Sequence, residues 1–154
     1  MQKITTFLTF KERGAEAVDF YATLFKNSKV YAMHKHPGGG PLPEGALLHA
    51  SFELDGQPFM AMDGGTSFSF SQGFSLFVNA ETQDEIDRLW DALKADGGRE
   101  DRCGWVQDKF GVSWQIVPPV LGQLMGGSDR ERAGRVMQAM LKMNKLIIKD
   151  LEEA

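Results

Sequence analysis

HASFELDGQPFMAMDGG, residues 49–65, decides the fold. Over residues 46–54, Leu48, Ala50, Phe52 and Leu54 alternate with His49, Ser51 and Glu53. Successive side chains of an extended strand point to opposite faces, so this spacing predicts a strand with one apolar and one polar face. Asp55-Gly56 follows; Asp-Gly accepts the left-handed backbone that a two-residue hairpin turn requires. Residues 57–62 then make the returning strand, and Asp63-Gly64-Gly65 closes it.

The segments to either side complete a unit. Upstream, residues 4–10 alternate, with Ile4, Thr6, Leu8 and Phe10 opposite Thr5, Phe7 and Thr9, which predicts a half-buried strand. AEAVDFYATLF carries Val18, Tyr21, Leu24 and Phe25 at helical spacing and stops at Asn27-Ser28. Residues 29–36 read as a strand, and PGGGPLPEG (37–45) as a loop. Downstream the order recurs. Residues 74–79 form a strand. Thr82-Gln83-Asp84-Glu85 is a capping box opening a helix with Ile86, Leu89, Trp90 and Leu93 on one side, ending at Gly97-Gly98. Residues 99–106 carry a faint strand signal, residues 108–111 a turn, and residues 112–117 the last strand. The chain thus reads β-α-β-β-β twice, over about residues 3–63 and 73–118, a repeat of pattern and not of residue identity.

Residues 119–154 differ. Ser128-Asp129-Arg130-Glu131 reads as a second capping box with Ser128 at the cap. The helix after it holds Val136, Met137, Met140, Leu141 and Met143, and Leu146, Ile147, Ile148 and Leu151 extend the apolar run. Met125, Met137, Met140 and Met143 give this tail an adaptable packing surface. It either covers its own sheet or crosses to a second subunit.

The 154 residues, 42% hydrophobic and 25% charged, suit one globular domain over 1–154. A net charge of −4 argues against a nucleic-acid partner, because phosphates call for a basic face. No apolar run is long enough to span a membrane, and MQKITTFLTF lacks the apolar core of a secretion signal. The single cysteine, Cys103, has no internal disulfide partner; a cytoplasmic location is the expectation.

Strand parity yields a list of candidate site residues. With Leu8, Leu48, Trp114 and Ile116 toward the helices, the opposite face holds Thr5, Phe7, Thr9, His49, Ser51, Glu53, Ser113 and Gln115, with Asp63 joining from its strand end. So many polar groups on a half-buried face suit a ligand surface better than a core. His49 is the best candidate for catalysis, as a general base, although a strand histidine also serves as structure. Glu53 lies four residues along the strand, about 13 Å at 3.3 Å per residue, too far for a dyad with His49. His34 and His36 share a face, but two ligands do not make a metal site. Cys103 as a nucleophile requires a base and a positive environment; Arg102, its neighbour, points the other way on a strand. Trp105 and Trp114 are candidates for stacking on a planar ligand, Trp114 fitting better beneath the helices. The 37–45 loop lacks the lysine and hydroxyl of a phosphate loop and reads as a flexible lid.

The doubled βαβββ order, the AVDFY helix, the DGG turn and DKFGVSWQIVP (108–118) together resemble the vicinal oxygen chelate superfamily, which includes glyoxalase I and the extradiol dioxygenases. Within it, HASFELDGQPFMAMDGG, DKFGVSWQIVP and VMQAMLKMNK are similar to the PhnB-like branch, whose members carry the label 3-demethylubiquinone-9 3-methyltransferase-like. The resemblance covers about residues 2–154. It implies an α+β fold of two βαβββ repeats, forming curled mixed sheets around a cleft with helices outside, plus the C-terminal helical extension. It also implies a homodimer. In metal-using relatives four strands each supply a ligand, usually histidine or glutamate. The resemblance puts those positions at Thr5, near Ala61, near Gly73 or Phe74, and at Gln115. A hydroxyl and a neutral amide do not repay the dehydration of a divalent ion. Gln115 thus reads either as a hydrogen-bonding group for a neutral polar ligand or as a partner for backbone groups.

The expected function is metal-independent binding or turnover of a small organic molecule, with Thr5, Phe7, His49, Ser51, Glu53, Asp63 and Gln115 as ligand-binding residues and no cofactor or metal. Two alternatives stand beside it. One is a metal-dependent lyase, isomerase or dioxygenase using His49, Glu53 and Asp63. The other is the methyltransferase of the family label, against which stands the lack of a glycine-rich cofactor turn at residues 10–14.

Overall fold

The computed structural model describes residues 2–154; Met1, the first residue of the expected domain, lies outside the described residues. The chain forms two compact units, one ending at Phe70 and the other Ser71–Ala154.

The first unit runs β1 (Thr6–Phe10), α1 (Gly14–Leu24), β2 (Lys29–Lys35), β3 (Leu47–Leu54) and β4 (Gln57–Asp63). Its sheet has the order β1-β4-β3-β2, with β1 parallel to β4 and the other neighbours antiparallel. Asp55 and Gly56 both take positive φ, 48° and 80°, as the two-residue turn demands. Helix α1 covers one face of the sheet, where Ala17, Val18 and Tyr21 are buried with Leu8, Phe10, Ala50, Phe52 and Ala61. Asp63 fastens that helix. It is buried, its Oδ1 accepts from the Gly14 amide at 2.8 Å, and its Oδ2 accepts from the Leu47 amide at 2.7 Å. A Cβ on Gly14 would come within 2.6 Å of the same Oδ1, so glycine is what allows the carboxylate to reach the helix N-terminus.

The second unit repeats the order. It has β5 (Ser75–Asn79), α2 (Gln83–Lys94), β6 (Arg99–Glu100), β7 (Trp105–Gln107) and β8 (Ser113–Val117), with sheet order β5-β8-β7-β6. The Thr82 side chain accepts from the Glu85 amide at 3.2 Å, as the capping box predicts; the Glu85 carboxylate reaches back to the Glu81 amide at 3.0 Å, one residue beyond the cap. The faint strand signal of residues 99–106 resolves into two short strands. They are joined by a turn in which Cys103 and Gly104 both take positive φ. Trp90, Leu89 and Ile86 of α2 are buried on the covered face of this sheet, with Val106, Trp114 and Ile116. Asp108 is a second buried carboxylate: it accepts from the Phe110 and Val112 amides and from the Trp114 indole at 2.9 Å. Each unit is therefore a βαβββ module with one face of its sheet covered by its own helix.

The tail adds α3 (Pro119–Gly126), α4 (Arg130–Leu141) and α5 (Ile148–Glu152). Two expectations are corrected here. The cap of α4 is Asp129, not Ser128; its side chain accepts from the Arg132 amide at 3.0 Å. The apolar run from Leu146 does not continue the helix, because α4 ends at Leu141 and α5 begins only at Ile148. Helix α3 falls inside the expected helical tail, with no side-chain cap of its own. Between α4 and α5 the chain packs on its own unit: the Cys103 and Gly104 amides donate to the Met143 and Asn144 carbonyls, both at 2.8 Å. Leu146 is buried against Gly104, and Val136 and Leu151 join it in a small core. No described helix is long and apolar enough to cross a membrane.

Candidate functional site

Each sheet has a second face that its helix does not cover, and the expected site residues can be placed on it one by one. In the first unit, Phe7 pairs in register with Met60, and Met60 with Ser51, so the three form one row across β1, β4 and β3. Phe7 is 46% exposed. Thr9 and the half-buried His49 have the same parity, and His49 stands directly opposite His34 on β2. Glu53 lies further along β3, opposite Lys29 and Pro58. Thr5 precedes β1 by one residue and is half-buried.

Sequence parity misplaced two residues. Leu48 is 48% exposed, while Leu47 is buried in its stead. The β2–β3 register slips between His34 and Lys35, and a bulge of this kind reverses which face a side chain takes. Asp63 is not on the open face. It pairs with Phe10, a core residue, and its two oxygens are held by the Gly14 and Leu47 amides, so it is a structural carboxylate.

A second irregularity, between Val30 and Ala32, adds a residue that sequence reading passed over. Tyr31 is exposed, and the Lys29 ammonium lies 5.1 Å from its ring centre. Hydrogen bonding toward the Glu53 carboxylate is the chief cause raising the Tyr31 hydroxyl above its usual pKa, with burial and the carboxylate's negative charge acting the same way.

In the second unit, Gln115 sits at the centre of the open face. It pairs with Phe77 on β5 and with Trp105 on β7. Its Nε2 donates to the Ser75 Oγ at 2.9 Å, so the amide bonds a side chain, not backbone groups. The neighbouring row is Ser75, Ser113 and Gln107. Trp114 lies beneath the helix, as its parity predicted, and is removed from the stacking candidates. Ser75 and Phe77 are site residues that the sequence alone does not reveal, because which face residues 74–79 present depends on the β5–β8 register.

The four positions where the resemblance expects a metal do not fit one. Ala61 is fully buried on the helix side, Phe74 is an exposed ring just before β5, Thr5 offers a hydroxyl, and the Gln115 amide is engaged with Ser75. Among the described residues of the chain, no three His, Cys, Asp or Glu side chains gather into a group able to hold an ion.

Residues 2–117 match the family model described as 3-demethylubiquinone-9 3-methyltransferase. None of the curated proteins matches. Among solved structures, a PhnB protein from Bacillus cereus, described as a candidate 3-demethylubiquinone-9 3-methyltransferase, is 38% identical; the match covers 76% of this chain and 99% of that one, at a TM-score of 0.71. A protein from Pseudomonas aeruginosa is 24% identical over 75% of this chain and 96% of its own, at 0.60. The fosfomycin resistance protein FosX from Listeria monocytogenes, solved with Mn(II) and a dihydroxypropylphosphonic acid, shares the fold at 14% identity, 80% and 94% coverage and a TM-score of 0.52. The match over three quarters of its length and the 38% identity to the PhnB protein show that the chain belongs to the 3-demethylubiquinone-9 3-methyltransferase family, the PhnB-like proteins.

Proposed function

We propose that this protein binds a small, neutral organic molecule on the open faces of its sheets without the help of a divalent ion. The observation that carries this reading is Gln115. At the position where metal-using relatives are expected to place a ligand, it offers an amide bonded to Ser75 and set between Phe77 and Trp105. An amide donates and accepts at once, and rings supply apolar area with a defined orientation, so the set suits an uncharged polar ligand with a flat body. On the first sheet, Phe7, Ser51 and His49 offer the same mixture of ring, hydroxyl and imidazole.

The metal-dependent alternative loses one of its three ligands, Asp63, to the Gly14 and Leu47 amides. Methyl transfer is the activity in the family's description. Against it here, the amide that opens α1 is occupied by the Asp63 carboxylate, and residues 10–14 lack the glycine-rich turn that receives nucleotide-type cofactors. Calorimetry separates the three readings. Titration of Mn(II), Zn(II) and S-adenosylmethionine into the protein is expected to give no saturable heat at micromolar concentration. A stoichiometric metal isotherm overturns the proposal in favour of the first alternative, and one for S-adenosylmethionine in favour of the second.

A further inference from the structure

Ser113 is the one buried side-chain polar atom among the described residues without a hydrogen-bond partner. It is 2% exposed, and its Oγ meets neither solvent nor an acceptor. A buried hydroxyl in that state is less stable than a satisfied one. It sits on the open-face parity of the second sheet, in register with Ser75 on one side and Gln107 on the other, two residues from Gln115. Gln107 is turned away, its amide donating to the Gly111 carbonyl at 3.3 Å.

The Ser75–Ser113–Gln115 group has more hydrogen-bonding capacity than it uses. The Ser75 Oγ accepts from Gln115, which leaves its proton to give. The Ser113 hydroxyl has its proton unspent, and the Gln115 amide has a second N–H and its carbonyl oxygen. Three protons stay unspent, and two of them are on hydroxyls of neighbouring strands about 4.8 Å apart. That arrangement matches one ligand oxygen with two lone pairs. In the next row Phe77 and Trp105 stand on either side of Gln115, one strand away each.

We propose that Ser75, Ser113 and Gln115 form a carbonyl-recognition subsite, walled by Phe77 and Trp105, for a planar uncharged aromatic ketone or amide. This rests on the metal-free reading above and goes beyond it by naming the ligand class and the groups that read it. The Gln115 side chain rotates off Ser75, the ligand oxygen takes its place, and both serine hydroxyls donate to it. The ring lies along Phe77 and Trp105.

The test uses the whole chain with assigned backbone amides, titrated with acetophenone, with toluene as the probe lacking an acceptor, and with the Ser113→Ala variant. Acetophenone is expected to shift the amides of Ser75, Phe77, Ser113 and Gln115 and the Trp105 indole. Losing one hydrogen bond, Ser113→Ala should weaken acetophenone by about 5- to 10-fold and leave toluene unchanged. Because the hydroxyl has no internal partner, the same variant should melt at or above the parent temperature. A Tm lowered by several degrees would show the hydroxyl to be structural and defeats the proposal. Equal acetophenone affinity in parent and variant defeats it, as does the absence of shifts at these amides. Shifts confined to Phe7, Ser51 and His49 defeat this subsite and spare the metal-free reading, which falls to a stoichiometric isotherm for a metal ion or S-adenosylmethionine.

Discussion

Single residues carry the account furthest where a polar atom has a defined partner. Asp63 was expected to face a ligand. Its strand end gave no hint that a carboxylate there would be drawn to the amides of Gly14 and Leu47, which lie 49 and 16 residues away in sequence. Asp63→Ala leaves both buried amides unpaired and is predicted to lower the unfolding free energy by roughly 2–5 kcal/mol, read by chemical denaturation. A ligand-binding role alone would leave stability nearly unchanged. Glu100 gives a pH signature. Its carboxylate accepts from the buried Trp90 indole at 2.6 Å and from Lys94 at 3.3 Å, and the indole bond is the chief cause holding its pKa below the usual glutamate value. A carboxylate with a depressed folded-state pKa contributes stability above its unfolded value and loses it as the pH falls through the folded one. The Tm should therefore hold above about pH 5 and drop below about pH 4, and Glu100→Gln, which keeps an acceptor for Trp90, should show a shallower acid limb. An acid limb identical in both proteins would remove Glu100 from the explanation. Gln115 was legible as the residue that replaces a metal ligand. Its partner Ser75 was not, because a contact between β5 and β8 spans 40 residues and depends on the strand register.

At the level of elements, period and turn chemistry were enough for the regular parts. The hairpin of β3 and β4, the helices α1 and α2 and the strand β8 fall where alternation, helical spacing and the Asp-Gly and Thr-x-x-Glu signals put them. The misses have physical causes. Bulges at Val30/Ala32 and His34/Lys35 reverse parity, so Leu48 turns outward and Tyr31 joins the open face. Strands of two and three residues, β6 and β7, are too short for alternation to register. The tail's apolar run does not show where the helix breaks, because the break is fixed by the tertiary contacts of residues 143–146. Gln83 on α2 grips that segment from both sides: its Nε2 donates to the Leu146 carbonyl at 3.1 Å, and its Oε1 accepts from the Ile148 amide at 2.8 Å. Lys145 adds an ion pair to Asp87 at 2.8 Å. Leu146→Ala opens a cavity beside Gly104 and should cost about 2–5 kcal/mol in the same denaturation assay. A change within about 0.5 kcal/mol would mean that this segment does not anchor the tail.

Taken whole, the chain shows how far a doubled pattern goes. Two βαβββ modules were visible in residues sharing little identity, because the pattern of strand, helix and turn is set by burial and backbone geometry and many sequences satisfy it. The fold does not bring the chemistry with it. FosX, which shares the fold, was solved with Mn(II), whereas the positions where the resemblance expects ligands in this chain are Thr5, near Ala61, near Gly73 or Phe74, and Gln115. Its open sheet faces carry rings, hydroxyls and amides, and the two buried carboxylates of its modules, Asp63 and Asp108, are spent on backbone amides and an indole. Recognition without a cation is the claim on which the rest stands. Anomalous diffraction from crystals grown in excess Mn(II) tests it most directly. The account predicts no ion bonded to side chains of the open faces; a manganese peak with protein oxygen or nitrogen atoms at about 2.0–2.3 Å would contradict it.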